Sequence, residues 1–300
     1  MLIPAAPPQA VPVYSGFDYV TVDPQRRRVY AAHGGSQRLL IADADSGKVI
    51  AQVRVGACHG VAVNPATGHV YVGIEDDAVD EVDPVALKVV RTVATSGAVD
   101  AIAFDPGTNR IYADEDDGTH LFVVDASTFT LVKTIVIPGH KPEYLAVDPA
   151  THEVYQNIDS DSEIAVIDPK TLAVSRTIPT PEIRHNHPLQ YDARYRQIVV
   201  AGGGVMSAYA PDGRKIGETK AGSFDQCDLD PTQHVLACAG GGGVTRYRLQ
   251  PSGPPQQIDE THVAPGVHTL AVDPVTHAVF AVWADRDGKG DFLEKLVPSP

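Results

Sequence analysis

Thr21-Val22-Asp23-Pro24, Ala62-Val63-Asn64-Pro65, Ala103-Phe104-Asp105-Pro106 and Ala146-Val147-Asp148-Pro149 are one phrase repeated four times. It returns altered as Gln190-Tyr191-Asp192-Ala193, and again as Asp228-Leu229-Asp230-Pro231 and Ala271-Val272-Asp273-Pro274. The turn residue stands at 23, 64, 105, 148, 192, 230 and 273, so copies follow one another at intervals of 38 to 44 residues. Seven copies at that period, in a chain of 300 residues, predict the seven blades of a β-propeller filling 1–300 as a single domain.

Around each turn the sequence reads as strands. Val29-Tyr30-Ala31-Ala32, Val70-Tyr71-Val72-Gly73, Ile111-Tyr112-Ala113-Asp114, Val154-Tyr155-Gln156-Asn157 and Val279-Phe280-Ala281-Val282 are short β-branched and aromatic runs bounded by turn residues. A third strand such as Leu121-Phe122-Val123-Val124-Asp125 follows, then a turn such as Asp45-Ser46-Gly47, then a fourth strand. Helical periodicity is sustained nowhere. The expected class is all-β, with four-stranded antiparallel blades. The last copy has no fourth strand of its own. Ala10-Val11-Pro12-Val13-Tyr14 is expected to supply it and close the ring, residues 1–9 being an extended lead-in.

The repeat resembles that of the YVTN-type (YncE-like) seven-bladed propellers. The units of that family run from a Gly-x-x-Pro stretch through an Ala-Val-x-Pro turn to a Val-Ile-Asp-x-x-Thr strand end. Pro138-Gly139-His140-Lys141-Pro142-Glu143-Tyr144-Leu145-Ala146-Val147-Asp148-Pro149 and Ala165-Val166-Ile167-Asp168-Pro169-Lys170-Thr171 carry the likeness, which extends over essentially the whole chain. Blades five and six depart from it with Gly-rich loops, and a literal Tyr-Val-Thr-Asn is absent. The resemblance implies the fold and leaves the activity open.

Five residues before the seven turns stand Asp18, His59, Asp100, Glu143, His187, Asp225 and His268. With charged residues at 21% of the chain and 12 His in all, seven ionisable residues out of seven is not composition alone. In a propeller of the resembling kind the first strand of each blade lines the central channel, which implies a ring at the channel mouth. His59, His187 and His268 come from blades two, five and seven, the most even three-fold spacing a seven-fold ring allows. They are the expected ligands of a divalent transition metal: Zn, Cu, Fe or Mn. Glu143 and Asp100 are the expected general base or acid, since crowded carboxylates have raised pKa values. Asp18 and Asp225, with His33 from a loop on the same face, are expected to contact substrate. The chemistry that fits a redox-silent metal is hydrolysis of a small ester or lactone, while a redox metal would permit oxygenase chemistry and a lyase reaction is also open. The alternative is a non-catalytic scaffold whose acidic face binds a protein, peptide or metal ion.

A net charge of −14 disfavours nucleic acid and anionic lipid as partners and favours cations and small molecules. A monomer is expected. No apolar run approaches the length of a membrane helix, and the first residues do not read as a signal peptide. The resembling family is often exported, which favours a periplasmic or secreted location. Cys58, Cys227 and Cys238 are an odd count and read as ordinary reduced or buried thiols, Cys227 as core packing. The acidic stretches Glu75-Asp76-Asp77, Asp114-Glu115-Asp116-Asp117 and Asp159-Ser160-Asp161 read as solvated hairpin loops, and His33 and His120 as exposed loop residues. Gly202-Gly203-Gly204 and Gly240 to Gly243 read as tight hairpins, as does Asp285 to Asp291, which lacks the final Glu of a calcium loop.

Overall fold

The computed structural model describes residues 1–11, 16–285 and 290–299. Apart from one short 3₁₀ turn, Gly34–Ser36, these residues form strands and their connections. Six four-stranded antiparallel sheets run in sequence order over 20–54, 58–94, 99–136, 142–179, 189–220 and 226–262. The seventh joins Thr269–Val272, Val279–Ala284 and Asp291–Pro298 to the N-terminal strands. The first strand of each blade contacts the first strand of the next, and that of blade seven contacts that of blade one, so the ring is closed.

Each turn Asp or Asn earns its place through its side chain. Asp23 Oδ1 accepts the backbone N–H groups of Gln25 and Arg26, both at 3.0 Å, and Asp192 Oδ1 those of Arg194 and Tyr195, both at 2.9 Å. A carboxylate or amide satisfies the turn locally, and the chain reverses into the second strand. Second and third strands are covered on both faces by neighbouring blades. Val70–Ile74 and Val154–Ile158 are therefore buried at every residue, and such strands read as apolar runs instead of alternating. Fourth strands lie on the outside, and Lys88–Ala94 alternates exposed and half-buried.

Seven apolar clusters fill the seven seams between blades. Tyr30, Tyr71, Tyr112, Tyr155 and Phe280, each seven residues after its turn, are fully buried within them. Polar ties reinforce four seams. The residue four positions after a turn reaches back to the turn Asp of the preceding blade: Arg27 to Asp273 at 2.7 and 2.9 Å, His152 to Asp105 at 3.1 Å, His234 to Asp192 at 2.7 Å and His277 to Asp230 at 2.7 Å. Burial raises the Asp273 carboxyl, but hydrogen bonds from Arg27 and Thr276 outweigh it and hold the group at about 2.

Ring closure differs in detail from the sequence expectation. Residues 1–9 are not merely a lead-in: Leu2–Pro4 pairs with Leu296 to Pro298, and Gln9–Val11 pairs with Asp291 to Leu293. The reason is burial, since Leu2 enters the seam between blades six and seven and Val11 the seam between blades seven and one. Pro12, Val13 and Tyr14 lie outside the described residues, as does the middle of the Asp285 to Asp291 stretch.

The cysteines also differ. Cys227 and Cys238 form a disulfide, with Cα atoms 4.0 Å apart. They stand directly opposite each other on the first two strands of blade six, so the register brings the sulfurs together. Cys58 is buried, and burial pushes its thiol up to about 12.

Candidate functional site at the channel mouth

The seven ring residues surround one cavity of about 290 Å³, joined there by Phe17, Tyr19 and Asp116. In blades two, three and four the ladder between first and second strands slips between Cys58 and Val61, Val99 and Ile102, and Pro142 and Leu145. Each slip brackets a ring residue: His59, Asp100 or Glu143. A bulge of this kind turns a side chain off the face its neighbours share, here toward the channel. In blades one, five and six the ring residue precedes the strand proper. The backbone N–H groups of Asp18, His187 and Asp225 donate to Ala32, Ala201 and Ala239 at 3.0, 3.2 and 3.1 Å. Gly60 permits the close approach of blades two and three: a Cβ there would lie 2.3 Å from the carbonyl oxygen of Asp100.

Six of the seven side chains sort into two acid–imidazole–acid groups. In the first, His59 Nδ1 lies 2.7 Å from Asp18 Oδ2 and 3.9 Å from Asp100 Oδ1. Tyr19 donates its hydroxyl to Asp100 Oδ2 at 3.2 Å. In the second, His187 Nε2 lies 2.9 Å from Glu143 Oε2 and 3.6 Å from Asp225 Oδ1, while Nδ1 is 2.6 Å from the Asp225 carbonyl. Lys141 holds the other Glu143 oxygen at 3.1 Å and is itself tied to Asp159 at 2.8 Å.

The three imidazoles do not meet as one ligand set. Both ring nitrogens of His268 face backbone carbonyls, Gly266 O at 2.8 Å and Phe17 O at 3.1 Å. His187 is engaged at both nitrogens by Asp225 and Glu143. Among the described residues, the donors gathered closely enough to share an ion, all within 4.8 Å of one another, belong to Asp18, His59 and Asp100. The Nε2 atom of His59 is buried and has no hydrogen-bond partner.

The field in the mouth is strongly perturbed. Burial, and then the charges of Asp18 and Glu143, push the Asp100 carboxyl well above the usual range. Asp114 is pushed up likewise by burial and by Asp100. Burial also raises Asp225, and partial desolvation at the rim raises the largely exposed Asp116. The hydrogen bond that His59 donates to Asp18 raises the imidazole to about 9 against the opposing effect of burial. For His187, burial lowers the pKa but the Glu143 bond and charge overcome it, again giving about 9.

The sign of the His187 shift makes a prediction. Its folded pKa exceeds the ordinary 6.5, so its stabilisation is fully present below that value and is lost as pH rises through about 9. At about 1.4 kcal/mol per pKa unit, and discounting for partial exposure, the loss is ~1–3 kcal/mol. His59 adds a loss of the same sign. Urea midpoints at about pH 6 and about pH 9.5 should show a smaller drop for His187→Gln than for the unsubstituted protein. An equal drop in both would remove His187 from the account.

Other sequence-predicted residues lie elsewhere. His33 is not in an exposed loop and does not line the cavity. It ends the strand Arg28–His33 at 0% exposure, stacks on Phe17 at 4.4 Å and pairs through Nε2 with Asp291. It is buried because the apolar run from Val29 continues through it and a carboxylate from across the ring closure meets it there. His120 begins the strand His120–Asp125, half-buried against Glu115 at 2.7 Å. Of the acidic stretch in blade three, Asp116 and Asp117 are exposed, but Asp114 is in a strand at 0% exposure. It accepts the Ala101 N–H at 2.6 Å and the Gln156 amide at 2.8 Å. Glu75, Asp76 and Asp77 are exposed as read. The Gly-rich loops are two-residue hairpins: φ is +58° and +84° at Gly203 and Gly204, and +62° and +87° at Gly241 and Gly242. Two successive positive φ values suit glycine and match the twist of the flanking strands.

No protein-family model matches this chain, and no curated protein matches it. Solved structures do. A chain of the hydrazine synthase of Kuenenia stuttgartiensis aligns at 14% identity with a TM-score of 0.78, over 95% of this chain and 97% of that one. A chain of a mitotic checkpoint complex aligns at 14% identity and 0.83, over 99% and 92%. The U3-55K structure aligns at 10% identity and 0.81, over 98% and 99%. What this chain is similar to in all three is the propeller architecture itself.

Proposed function

We propose that the channel mouth binds one divalent metal ion through Asp18, His59 and Asp100, and that the protein uses it in a metal-dependent reaction on a small molecule. The observation that carries this reading is the convergence of those three side chains. Two ligands about 2.1 Å from a shared ion lie about 3–4 Å apart; His59 Nδ1 is 3.9 Å from Asp100, and its 2.7 Å hydrogen bond to Asp18 would open slightly to admit the ion. A mixed carboxylate–imidazole set suits Zn, Mn or Fe better than a soft cuprous ion. The cation would relieve the mutual repulsion that raises Asp100.

The chemistry proposed is hydrolysis of a lactone or ester. The ion would supply an activated water for attack on the carbonyl carbon. His187, held as an imidazolium near neutral pH by Glu143, would turn its Nε2 proton from Glu143 to the departing alkoxide as the carbonyl carbon–oxygen bond breaks. Glu143, fixed by Lys141, orients that ring. Asp225 and Asp116 bound the space a substrate would occupy. The disulfide in blade six supports an oxidising compartment.

A second reading is favoured by the exposed acids Glu75, Asp76, Asp77, Asp116 and Asp117. The loop that carries Asp116 reaches the mouth cavity, so the same face offers a cationic protein or peptide an acidic landing surface. Calorimetric titration of metal-stripped protein with Zn or Mn separates the two. The metal reading expects one site per chain, with protons released on binding because His59 must give up its own. Absence of binding by either ion would leave the docking reading.

A further inference from the structure

Past the mouth, toward the Asp-Pro turns, the channel holds a second cavity of about 340 Å³, with Tyr19 in the wall of both. Its width follows from the sequence. Two residues before the seven turns, five positions are Thr or Ala, and small side chains leave the tube open. The other two are neighbours on blades five and six, Gln190 and Asp228, and both line the cavity.

Asp228 is the only acidic residue in that lining, which contains no Lys, Arg or His. Its oxygens accept the backbone N–H groups of Leu229 at 2.9 Å and Val272 at 2.7 Å, and among the described residues no basic side chain pairs with it. A carboxylate oxygen has capacity for more than one donor, so these two bonds leave acceptor sites over. Gln190 donates its amide N–H groups to Tyr144 Oη at 3.1 Å and to Cys227 O at 2.7 Å, and its carbonyl oxygen is an acceptor in the lining it shares with Asp228. Of its aromatic residues Tyr19 and Tyr144 face the channel, whereas Phe104 packs on Tyr71 and Tyr191 on Tyr155 in the seams between blades, so first-strand backbone makes up much of the remaining wall. Tyr19 and Tyr144 pack ring against ring, with centroids 5.5 Å apart.

A lone carboxylate in a wall that also carries the Tyr19 and Tyr144 rings suits an organic monocation. A divalent metal would need further donors, and none of the close metal-capable groups among the described residues includes Asp228. An ammonium group has N–H donors for Asp228 and Gln190, and its charge is attracted to ring faces. We propose that this lower cavity is a binding site for a small organic amine, with the ammonium on Asp228 and Gln190 and the apolar part against Tyr19 and Tyr144. The site is independent of the metal reading of the mouth.

The test is calorimetric titration with benzylamine and with benzyl alcohol, its uncharged counterpart. Benzylamine should bind the unsubstituted protein at least tenfold more tightly than the alcohol. Asp228→Asn should weaken benzylamine at least tenfold, and Glu260→Gln, exposed on the outer strand of blade six, should leave it unchanged. Benzylamine that fails to bind at millimolar concentration, or binds no better than the alcohol, would overturn the proposal without recourse to any variant. Equal binding by a folded Asp228→Asn protein would do the same.

Discussion

Deleting residues 2–11 should lower the melting temperature by at least ~10 °C or leave the chain unfolded. This segment is the outer strand of blade seven. Leu2 and Val11 are 1% and 2% exposed, and burying each contributes about 1.5–3 kcal/mol. The segment also ties neighbouring blades. Gln9 Oε1 accepts the Val49 N–H at 2.7 Å, and the Leu2 carbonyl accepts the Thr261 hydroxyl at 3.3 Å. Losing it exposes the long strand Asp291–Pro298 as an unpaired edge. A summed cost of about 5 kcal/mol or more is a large share of a total stability of about 5–15 kcal/mol. Leu2→Ala alone should cost about 2–4 kcal/mol. Thermal melts of the two proteins check this, and a deletion that melts within about 3 °C of the intact chain would mean the ring closes without the strap.

Replacing both mouth carboxylates, Asp18→Asn with Asp100→Asn, should weaken divalent-metal binding at least ~100-fold, or about 2.7 kcal/mol. The two carboxylates supply the negative charge and two of the three close donors, and His59 alone cannot hold the ion. The same pair should stay folded in the presence of chelator, because removing the Asp18 charge that raises Asp100 offsets the lost Asp18–His59 hydrogen bond. His187→Gln and His268→Gln should leave metal affinity within about threefold, since neither imidazole belongs to the close donor set. Titration of the four proteins checks this. If metal binding survived loss of both carboxylates but not of His187 and His268, the ligands would be the three histidines.

The sequence revealed the fold because each blade needs an Asp or Asn to close its turn and apolar runs to fill its seams, and both demands fall on residue identity. The ring was legible for a related reason: a fixed offset from each turn lands at one level of the channel. The pairings within the ring were not legible. A blade-to-blade offset places His59 between Asp18 and Asp100, but it does not say that the carbonyls of Gly266 and Phe17 take up His268, because backbone carbonyls leave no trace in a sequence.

Two further features leave a trace in the residue pattern. Once the turn between Asp230 and Val235 is placed, hairpin register sets Cys227 opposite Cys238, which counting cysteines could not show. The same alignment, read four residues after each turn in place of five before it, gives Arg27, His152, His234 and His277 as ties between blades. His33 had no such signal. Its partner Asp291 is 258 residues away, and only closure of the ring brings the two together.

The most direct measurement is an anomalous difference map from crystals grown with Mn or Zn, recorded at the absorption edge of the metal. The account predicts one channel peak, about 2.0–2.2 Å from side-chain atoms of Asp18, His59 and Asp100. A channel without a peak, or a peak held by His187 or His268 and not by those three, would contradict it.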